Sequence, residues 1–520
     1  MQASAGVLAM LSSASGVAFA QASRDEAACT ALAKLSLPGV ALSDVTTQWH
    51  PAGSTPPPEP YAPPLTASLP AFCRLDATLD RRTGADGKPY GIGFAIALPA
   101  DWNGRYLQQG GGGLNGTVAP PLGRTGMGDA ALAHGFAVAT TDTGHRGQAF
   151  DPSFMRDQQA SLDFAYQAVG RVALLARQIV AQYYGVSAKT SIFAGCSTGG
   201  REGMLMAQRY PTYFDGIVVG APAMRTNFSG IGDEWVSTAL NAVAPKDAAG
   251  KPDTKRALSD ADRKAVIDGL LNACDASDGL EDGMVLDPLG CHFDPATLVC
   301  KGAKADGCLT PEQAAAISKA LAGPKDSKGR QVYPGFLYDT GIVVTQGLPG
   351  LLAGVMNPVG APFAATEMDV DARAEAAASD PRMWLTSTSG WTNLSTFSGH
   401  GGKLIFYHGV SDPWFSALDT LDYYQRMTKA NGGAAQVMNW SRFFLVPGMS
   451  HCGGGPALDS FDMIGAAVEW VEKGTAPASV TATGRAFPGR SRPLCAYPQH
   501  AHYKGTGNAD DAASFECVAP

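Results

Sequence analysis

The sequence predicts an α/β fold built on a mainly parallel sheet with helices on both faces. Three observations carry this. Short apolar runs alternate with stretches of helical spacing in two separate parts of the chain. One run, "GFAVATTDTG", is apolar almost throughout, as a strand covered on both faces must be. A third run, Ser191 to Ala194, passes through a glycine-flanked turn directly into a helix-like segment, "KTSIFAGCSTGGREGMLMAQRY". Strand and helix in alternation mean parallel strands joined by crossovers that lay helices on the sheet.

In chain order, Met1 to Ala20 is uncharged and ends Ala18-Phe19-Ala20, a small-x-small cleavage pattern, so residues 1–20 read as a secretory signal peptide. Its first residues contain no Lys or Arg, which leaves a misplaced start or a disordered tail as alternatives. Pro51 to Pro70 is proline-rich and reads as an extended surface segment. "YGIGFAIALP" alternates like a strand, "GRYLQQGGGG" is a strand running into glycines, and Asp163 to Tyr184 has helical spacing. Residues 21–223 thus form the first part of a core. Between about Met224 and Met383 the rhythm is lost, and glycine, proline, an Asp-rich loop and four of the ten cysteines take over. Residues 224–383 are expected to be an inserted lid. The sheet pattern returns at "KLIFYHGVSD", continues through a helix near Ala417 to Lys429 and the strand "RFFLVPG", and closes the core over residues 384–520 with a loop-rich tail.

Bulk properties exclude several function classes. A net charge of −8 without a basic stripe argues against nucleic acid, and no Lys/Arg cluster suggests a membrane surface. No later run is long and apolar enough to span a bilayer. Ten cysteines are an even number and fit an oxidising compartment, so the chain is expected to be periplasmic or secreted; no Cys-x-x-Cys pair favours zinc.

Gly195-Cys196-Ser197-Thr198-Gly199 sits between the strand and the helix, which is the setting of a nucleophile elbow. A sharp turn there lifts the Ser197 hydroxyl above the sheet edge and aims a helix N-terminus at it, and side chains in place of the glycines would clash. This defines the core as an α/β-hydrolase type. Thr198, after the nucleophile, is expected to give one backbone N–H of an oxyanion hole; Gly110 to Gly113, in the loop after an early strand, should give the other. The acid and the base follow the serine in order on this fold. "KLIFYHGVSD" breaks at Asp412 and "RFFLVPGMSHC" at His451, so Asp412 and His451 complete the triad. The other histidines precede Asp412 or lie in the lid or the tail; His408, four residues before Asp412, is open to a pocket-lining or a packing role. Cys196 precedes the serine and Cys452 follows the histidine, so the triad's own closeness would bring these cysteines within disulfide reach.

The lid loop "CDASDGLEDGMVLDPLGC" gathers Asp275, Asp278 and Asp282, with Gly279 and Gly283 permitting tight turns. Carboxylates with the carbonyls of Leu280 and Met284 suit calcium, although the spacing is not that of an EF-hand; a solvated acidic turn is the alternative. No organic cofactor is expected.

These motifs resemble the tannase and feruloyl esterase family, which includes bacterial terephthalate-monoester hydrolases. The likeness runs through nearly the whole mature chain and is densest at "GCSTGGREGM", "HGVSDPWFSALDT", "FFLVPGMSHC" and "RPLCAYPQ…YKGTG". It implies a serine carboxylesterase acting on aromatic acid esters through an acyl-enzyme, with Gly113 as the second oxyanion donor. It also implies calcium at Asp275, Asp278, Leu280, Asp282 and Met284, and disulfides Cys29–Cys73, Cys196–Cys452, Cys274–Cys291, Cys300–Cys308 and Cys495–Cys517. Gly112 stands where the terephthalate branch has a serine, and "APFAATEMDVDA" lacks the arginine with which that branch grips a carboxylate. Feruloyl or galloyl esters are therefore the first expectation and a terephthalate monoester the second. Trp384, Trp391 and Trp414 near the lid boundary or acid loop predict an aromatic-lined cleft, with His408, Gly112 and Trp414 as substrate contacts. A non-catalytic binding protein on the same fold would normally have lost one of Ser197, Asp412 and His451, and all three are present.

Overall fold

The computed structural model describes residues 24–56, 65, 67–124 and 128–520. The expected signal peptide and part of the proline-rich segment lie outside these residues. Nine strands make the central sheet: β1 (Leu42–His50), β2 (Phe72–Thr83), β3 (Pro89–Pro99), β4 (Arg105–Gln109), β5 (Ala137–Thr141), β6 (Thr190–Cys196), β7 (Gly216–Gly220), β8 (Lys403–Gly409) and β9 (Ser441–Val446). Their spatial order is β1-β2-β3-β5-β4-β6-β7-β8-β9. The first three pair antiparallel, β3 pairs antiparallel with β5, and from β5 to β9 every pairing is parallel. The carboxyl ends of the parallel strands share one edge, where ligands of open α/β sheets bind.

Strand pleat explains why both faces are buried. Along β6, Ile192 and Ala194 enter one apolar cluster with Val218, Ile405 and Tyr407, while Phe193 enters the other with Val219 and Phe406. Successive side chains point to opposite faces, so a strand between two helix layers is apolar at every position. The helix Ala168–Tyr184 covers one face and Met463–Lys473 the other. The helical run expected from Asp163 begins with a π-helical turn, Asp163–Gln167, before the α-helix proper.

Between β7 and β8 runs the insertion, with helices Thr226–Asn241, Asp260–Cys274 and Pro311–Ala322. Ser259 with Asp262, and Thr310 with Gln313, form capping boxes that satisfy the free N–H groups of two of them. Val236, Leu240, Leu270, Ile317, Tyr333 and Leu351 give the insertion its own apolar cluster. Arg225, at its root, binds Asp419 of the core with Nε–Oδ1 at 3.0 Å. The tail differs from the loop-rich expectation: Ser460–Phe461, Ser479–Thr483 and Ser491–Cys495 form one small sheet, and His500–Tyr503 with Phe515–Val518 another. All five expected disulfides are present: Cys29–Cys73, Cys196–Cys452, Cys274–Cys291, Cys300–Cys308 and Cys495–Cys517. Among the described residues no helix is long and apolar enough to cross a membrane.

Candidate active site

Ser197 sits between β6 and the helix Thr198–Arg209 with φ 65° and ψ −125°, a conformation that side chains rarely adopt. The surroundings hold it there: Ser197 N–H donates to the Gly220 carbonyl at 3.0 Å, and the Ser197 carbonyl accepts from Ala223 and Arg201 at 3.1 and 3.0 Å. The glycines of the elbow are steric necessities. A Cβ on Gly195 would come within 2.6 Å of the Gly199 carbonyl carbon, and one on Gly199 within 2.7 Å of the Gly111 carbonyl oxygen. The Ser197 side chain is half-buried at the sheet edge.

Asp412 lies in the turn after β8 and is fully buried. Its Oδ1 accepts the N–H groups of Trp414 and Phe415 at 2.9 and 3.1 Å, and its Oδ2 faces His451 Nδ1 at 2.6 Å. Burial alone would raise its pKa. Its interaction with the His451 imidazole, with the His408 contact, outweighs burial and holds the carboxyl well below the usual range. His451 Nε2 is buried and makes no hydrogen bond, so the nitrogen remote from Asp412 is the one left to accept a proton. The Cys196–Cys452 disulfide, with Cα atoms 5.9 Å apart, ties the serine loop to the histidine loop.

Thr198 opens its helix, so its backbone N–H has no intrahelical partner. The glycine loop after β4 lies alongside: Gly199 N–H donates to the Gly111 carbonyl at 2.8 Å, and the Thr198 hydroxyl donates to the Gly113 carbonyl. Gly113 has φ +57°, a left-handed conformation that glycine takes without strain. The chain therefore brings together a serine in a strained elbow, a histidine oriented by a buried carboxylate, and two backbone segments fit to hold an oxyanion.

The tannase and feruloyl esterase family model matches residues 78–367 and 361–518. This chain belongs to the tannase and feruloyl esterase family. A mono(2-hydroxyethyl) terephthalate hydrolase of Piscinibacter sakaiensis is 40% identical to it, over 88% of this chain and 87% of that protein. A probable feruloyl esterase B-2 of Aspergillus terreus is 31% identical, over 81% of this chain and 82% of its own. The crystal structure of feruloyl esterase B from Aspergillus oryzae superposes with a TM-score of 0.76 at 26% identity, covering 95% of this chain and 99% of that one. The protein is a carboxylic ester hydrolase with the α/β-hydrolase fold of that family.

In this family member the wall beside His451 is aromatic. Trp414 and Phe415 meet the imidazole edge-on at ring-centroid distances of 5.1 and 5.2 Å, and Phe150 meets Trp414 at 5.9 Å. Phe150 lies outside the sequence motifs, and Phe415 lies within "HGVSDPWFSALDT" without having been singled out. A Cβ on Gly112 would meet open space, which keeps this part of the glycine loop clear beside the site. One expected contact, His408, and two expected cleft residues, Trp384 and Trp391, lie elsewhere. His408 is fully buried, with Nδ1 on Thr420 Oγ1 and Nε2 on the Phe415 carbonyl, both at 2.9 Å, and Nε2 3.4 Å from Asp412 Oδ2. It supports the acid from below because the pleat of β8 turns it into the core. Trp384 and Trp391 are 77% and 62% exposed, so of the three tryptophans Trp414 alone stands against the histidine.

The Asp-rich lid loop closes on itself. Asp275 accepts the N–H groups of Asp282 and Gly283, Asp278 accepts those of Leu280 and Leu286, and Asp282 pairs with Arg492 and Arg490. Asp278 is buried, and burial together with the neighbouring Asp282 and Asp275 charges pushes its pKa up to about 7. Among the described residues no three His, Cys, Asp or Glu side chains converge as a ready-made metal cage. The donor chemistry, three carboxylates plus the Leu280 and Met284 carbonyls, is that of a hard cation, and the repulsion on Asp278 is what such a cation would relieve.

Proposed function

We propose that the protein is an exported serine esterase that hydrolyses esters of aromatic, phenolic acids. The observation that carries this is the buried Asp412–His451 pair, whose unbonded Nε2 belongs to a loop disulfide-linked to the Ser197 elbow. His451 Nε2 takes the Ser197 proton as Oγ attacks the ester carbonyl, and Asp412 fixes the imidazole tautomer and stabilises its charged form. The Thr198 and Gly113 N–H groups hold the oxyanion. Collapse expels the alcohol, which leaves with the proton from His451, and the acyl group remains on Ser197 Oγ. Water, deprotonated by His451, attacks the acyl-enzyme; the acid departs and the serine regains its proton.

The aromatic wall of Trp414, Phe415 and Phe150 supports a planar acyl group, since stacked rings add roughly 0.5–1.5 kcal/mol beyond area burial. The names of the feruloyl esterase relatives point the same way. The 40% identity to a terephthalate-monoester hydrolase favours that ester as the second reading. Five disulfides support export to an oxidising compartment, periplasmic or extracellular. The lid loop is proposed to hold calcium through Asp275, Asp278, Asp282 and the carbonyls of Leu280 and Met284, as a support for the lid and with no part in the chemical steps.

The test is Ser197→Ala assayed on a chromogenic aryl ester, with an aryl phosphonate as a covalent probe. Wild type is expected to gain one phosphonyl group on Ser197 and lose activity. Ser197→Ala is expected to be folded, unlabelled and nearly inactive. More than a few per cent of wild-type turnover in the variant would remove Ser197 as nucleophile.

A further inference from the structure

An oxyanion donor is useful only if it stays aimed, and the loop that carries Gly113 is poorly made for rigidity. Gly110 to Gly113 have no side chains, and glycine backbones have the widest conformational freedom. The restraint comes from the helix that follows the nucleophile. Glu202, one turn into that helix, spends both carboxylate oxygens on the loop: Oε2 accepts Gly111 N–H at 2.9 Å and Oε1 accepts Asn115 Nδ2 at 2.8 Å. Gly199 N–H on the Gly111 carbonyl and the Thr198 hydroxyl on the Gly113 carbonyl complete the clamp.

Glu202 is 0% exposed. Burial raises its pKa, against the Arg201 charge and the bonds from Gly111 and Asn115, which lower it. Arg201 is itself buried and directs its guanidinium to the Ala165 and Phe164 carbonyls. A buried carboxyl beside a buried guanidinium is a weak source of stability, because desolvation opposes the Coulombic gain. What Glu202 provides in return is geometric: it spans the glycine loop at both ends, from Gly111 to Asn115.

We propose that Glu202 is a positioning residue for ester hydrolysis, fixing the Gly111–Asn115 backbone so that the Gly113 N–H points at the developing oxyanion. This rests on the reading of Ser197 as nucleophile and of Gly113 as an oxyanion donor. Asn115 sharpens the test. Its Oδ1 is buried without a partner, and its φ of 51° suits asparagine. In Glu202→Gln the new amide oxygen can accept Gly111 N–H, and the new NH2 can donate to Asn115 Oδ1 once the Asn115 amide turns over. The glutamine variant therefore keeps the clamp without the charge. Glu202→Asp keeps the charge but retracts the carboxylate by one methylene, beyond joint reach of Gly111 and Asn115.

The experiment measures kcat and KM on a chromogenic aryl ester, and the affinity for phenylboronic acid, which mimics the tetrahedral state on the serine. The variants are Ser197→Ala, Glu202→Ala, Glu202→Asp and Glu202→Gln, each checked for a native circular dichroism spectrum. Expected for Glu202→Ala and Glu202→Asp is a fall of about 100-fold in kcat, the scale of a lost oxyanion donor. KM should stay within about twofold and phenylboronic acid affinity should fall in parallel with kcat. Glu202→Gln is expected to recover most of kcat. Should Glu202→Ala not fold, Glu202→Asp carries the same test. A folded Glu202→Asp with wild-type kcat, a loss confined to KM, or a glutamine variant as slow as the aspartate variant would overturn the inference. If Ser197→Ala is inactive while the Glu202 variants keep wild-type kcat, the inference fails alone; activity in Ser197→Ala overturns the serine mechanism beneath it.

Discussion

The lid carboxylate of Asp339 accepts the Ser411 hydroxyl at 2.7 Å, one residue before Asp412. The same oxygen accepts Gly448 N–H at 2.7 Å, in the turn that leads to His451. One buried side chain of the insertion thus joins the loop of the acid to the loop of the base.

This arrangement makes a pH prediction. Asp339 is fully buried, and burial pushes its pKa up to about 6, against the bonds from Ser411, Gly448 and Thr340 that lower it. The folded value lies above the unfolded value of about 4. Between these values the folded state keeps a proton that the unfolded state has lost. Its contribution is therefore present below about pH 4, fades as pH rises to about 6, and is flat above that. Asp339→Asn should remove this slope: the difference in melting temperature between variant and wild type should move in the variant's favour from pH 4 to pH 6.5 and then level off. Asp339→Ala, which leaves Ser411 and Gly448 without their acceptor, should cost about 1–3 kcal/mol at neutral pH. Parallel melting curves for Asp339→Asn and wild type across that range would contradict the assignment.

The Cys196–Cys452 bridge closes a loop of sequence separation 256, for which the chain-entropy model gives roughly 5 kcal/mol, with measured gains usually smaller. Its placement between Ser197 and His451 predicts an effect on rate beyond that on stability. The double variant Cys196→Ser, Cys452→Ser, assayed where circular dichroism shows it folded, should lose at least about tenfold in kcat, since small misplacements of reacting groups cost that much or more. KM should change little. A folded double variant with wild-type kcat would show that the two loops hold their geometry without the bridge.

For the lid loop the prediction is metal dependence. Calcium bound by the native state alone stabilises it by mass action. A strong chelator should lower the melting temperature, and added calcium should restore it. Because burial and the neighbouring Asp282 and Asp275 charges raise the Asp278 pKa, the proton should compete with the cation and affinity should weaken as pH falls. Purified protein without calcium by elemental analysis, and without response to chelator, would leave the loop as an acidic turn satisfied by its own N–H groups and by Arg490 and Arg492.

The parts of this site legible in the sequence are those written locally. Ser197, Asp412 and His451 each follow an apolar strand within five residues of its end, so the break in the pattern points to them. Residues that act across the fold leave no such mark: Glu202 meets Gly111 at a sequence separation of 91, and Asp339 meets Ser411 at 72. His408 shows the limit of spacing alone, since proximity to Asp412 was readable but the face of β8 it occupies was not. Strand β2 escaped because Arg74, Asp76, Asp80, Arg81 and Arg82 interrupt it, although its inward positions Leu75, Ala77 and Leu79 keep the alternation of a sheet strand. The tail strands are two to five residues long, two of them stapled by Cys495–Cys517, too short for periodicity to register.

The last prediction concerns the acyl group. A substrate with a free carboxylate needs a cation in the pocket, because an unpaired buried charge is costly. The arginines of the lid segment nearest the expected grip are both committed: Arg373 to Glu234 at 2.6 Å, and Arg382 to Asp380 with Nε–Oδ1 at 2.9 Å. Both are about half exposed and paired with lid acids rather than turned to Trp414 or His451. On the lid side Asp233 is buried, and burial with the Asp412 charge raises its pKa well above the usual range, which favours its neutral form. With both of these arginines engaged, the surroundings suit a neutral ring with hydroxyl groups better than a second carboxylate. Methyl ferulate or methyl gallate should therefore be hydrolysed with a kcat/KM at least about tenfold above that of the terephthalate monoester, the difference lying mainly in KM if the carboxylate is excluded at binding. The three esters compared under one set of conditions decide it. A preference for the terephthalate monoester that disappears in Arg373→Ala or Arg382→Ala would mean that one of these arginines leaves its lid partner to grip the substrate.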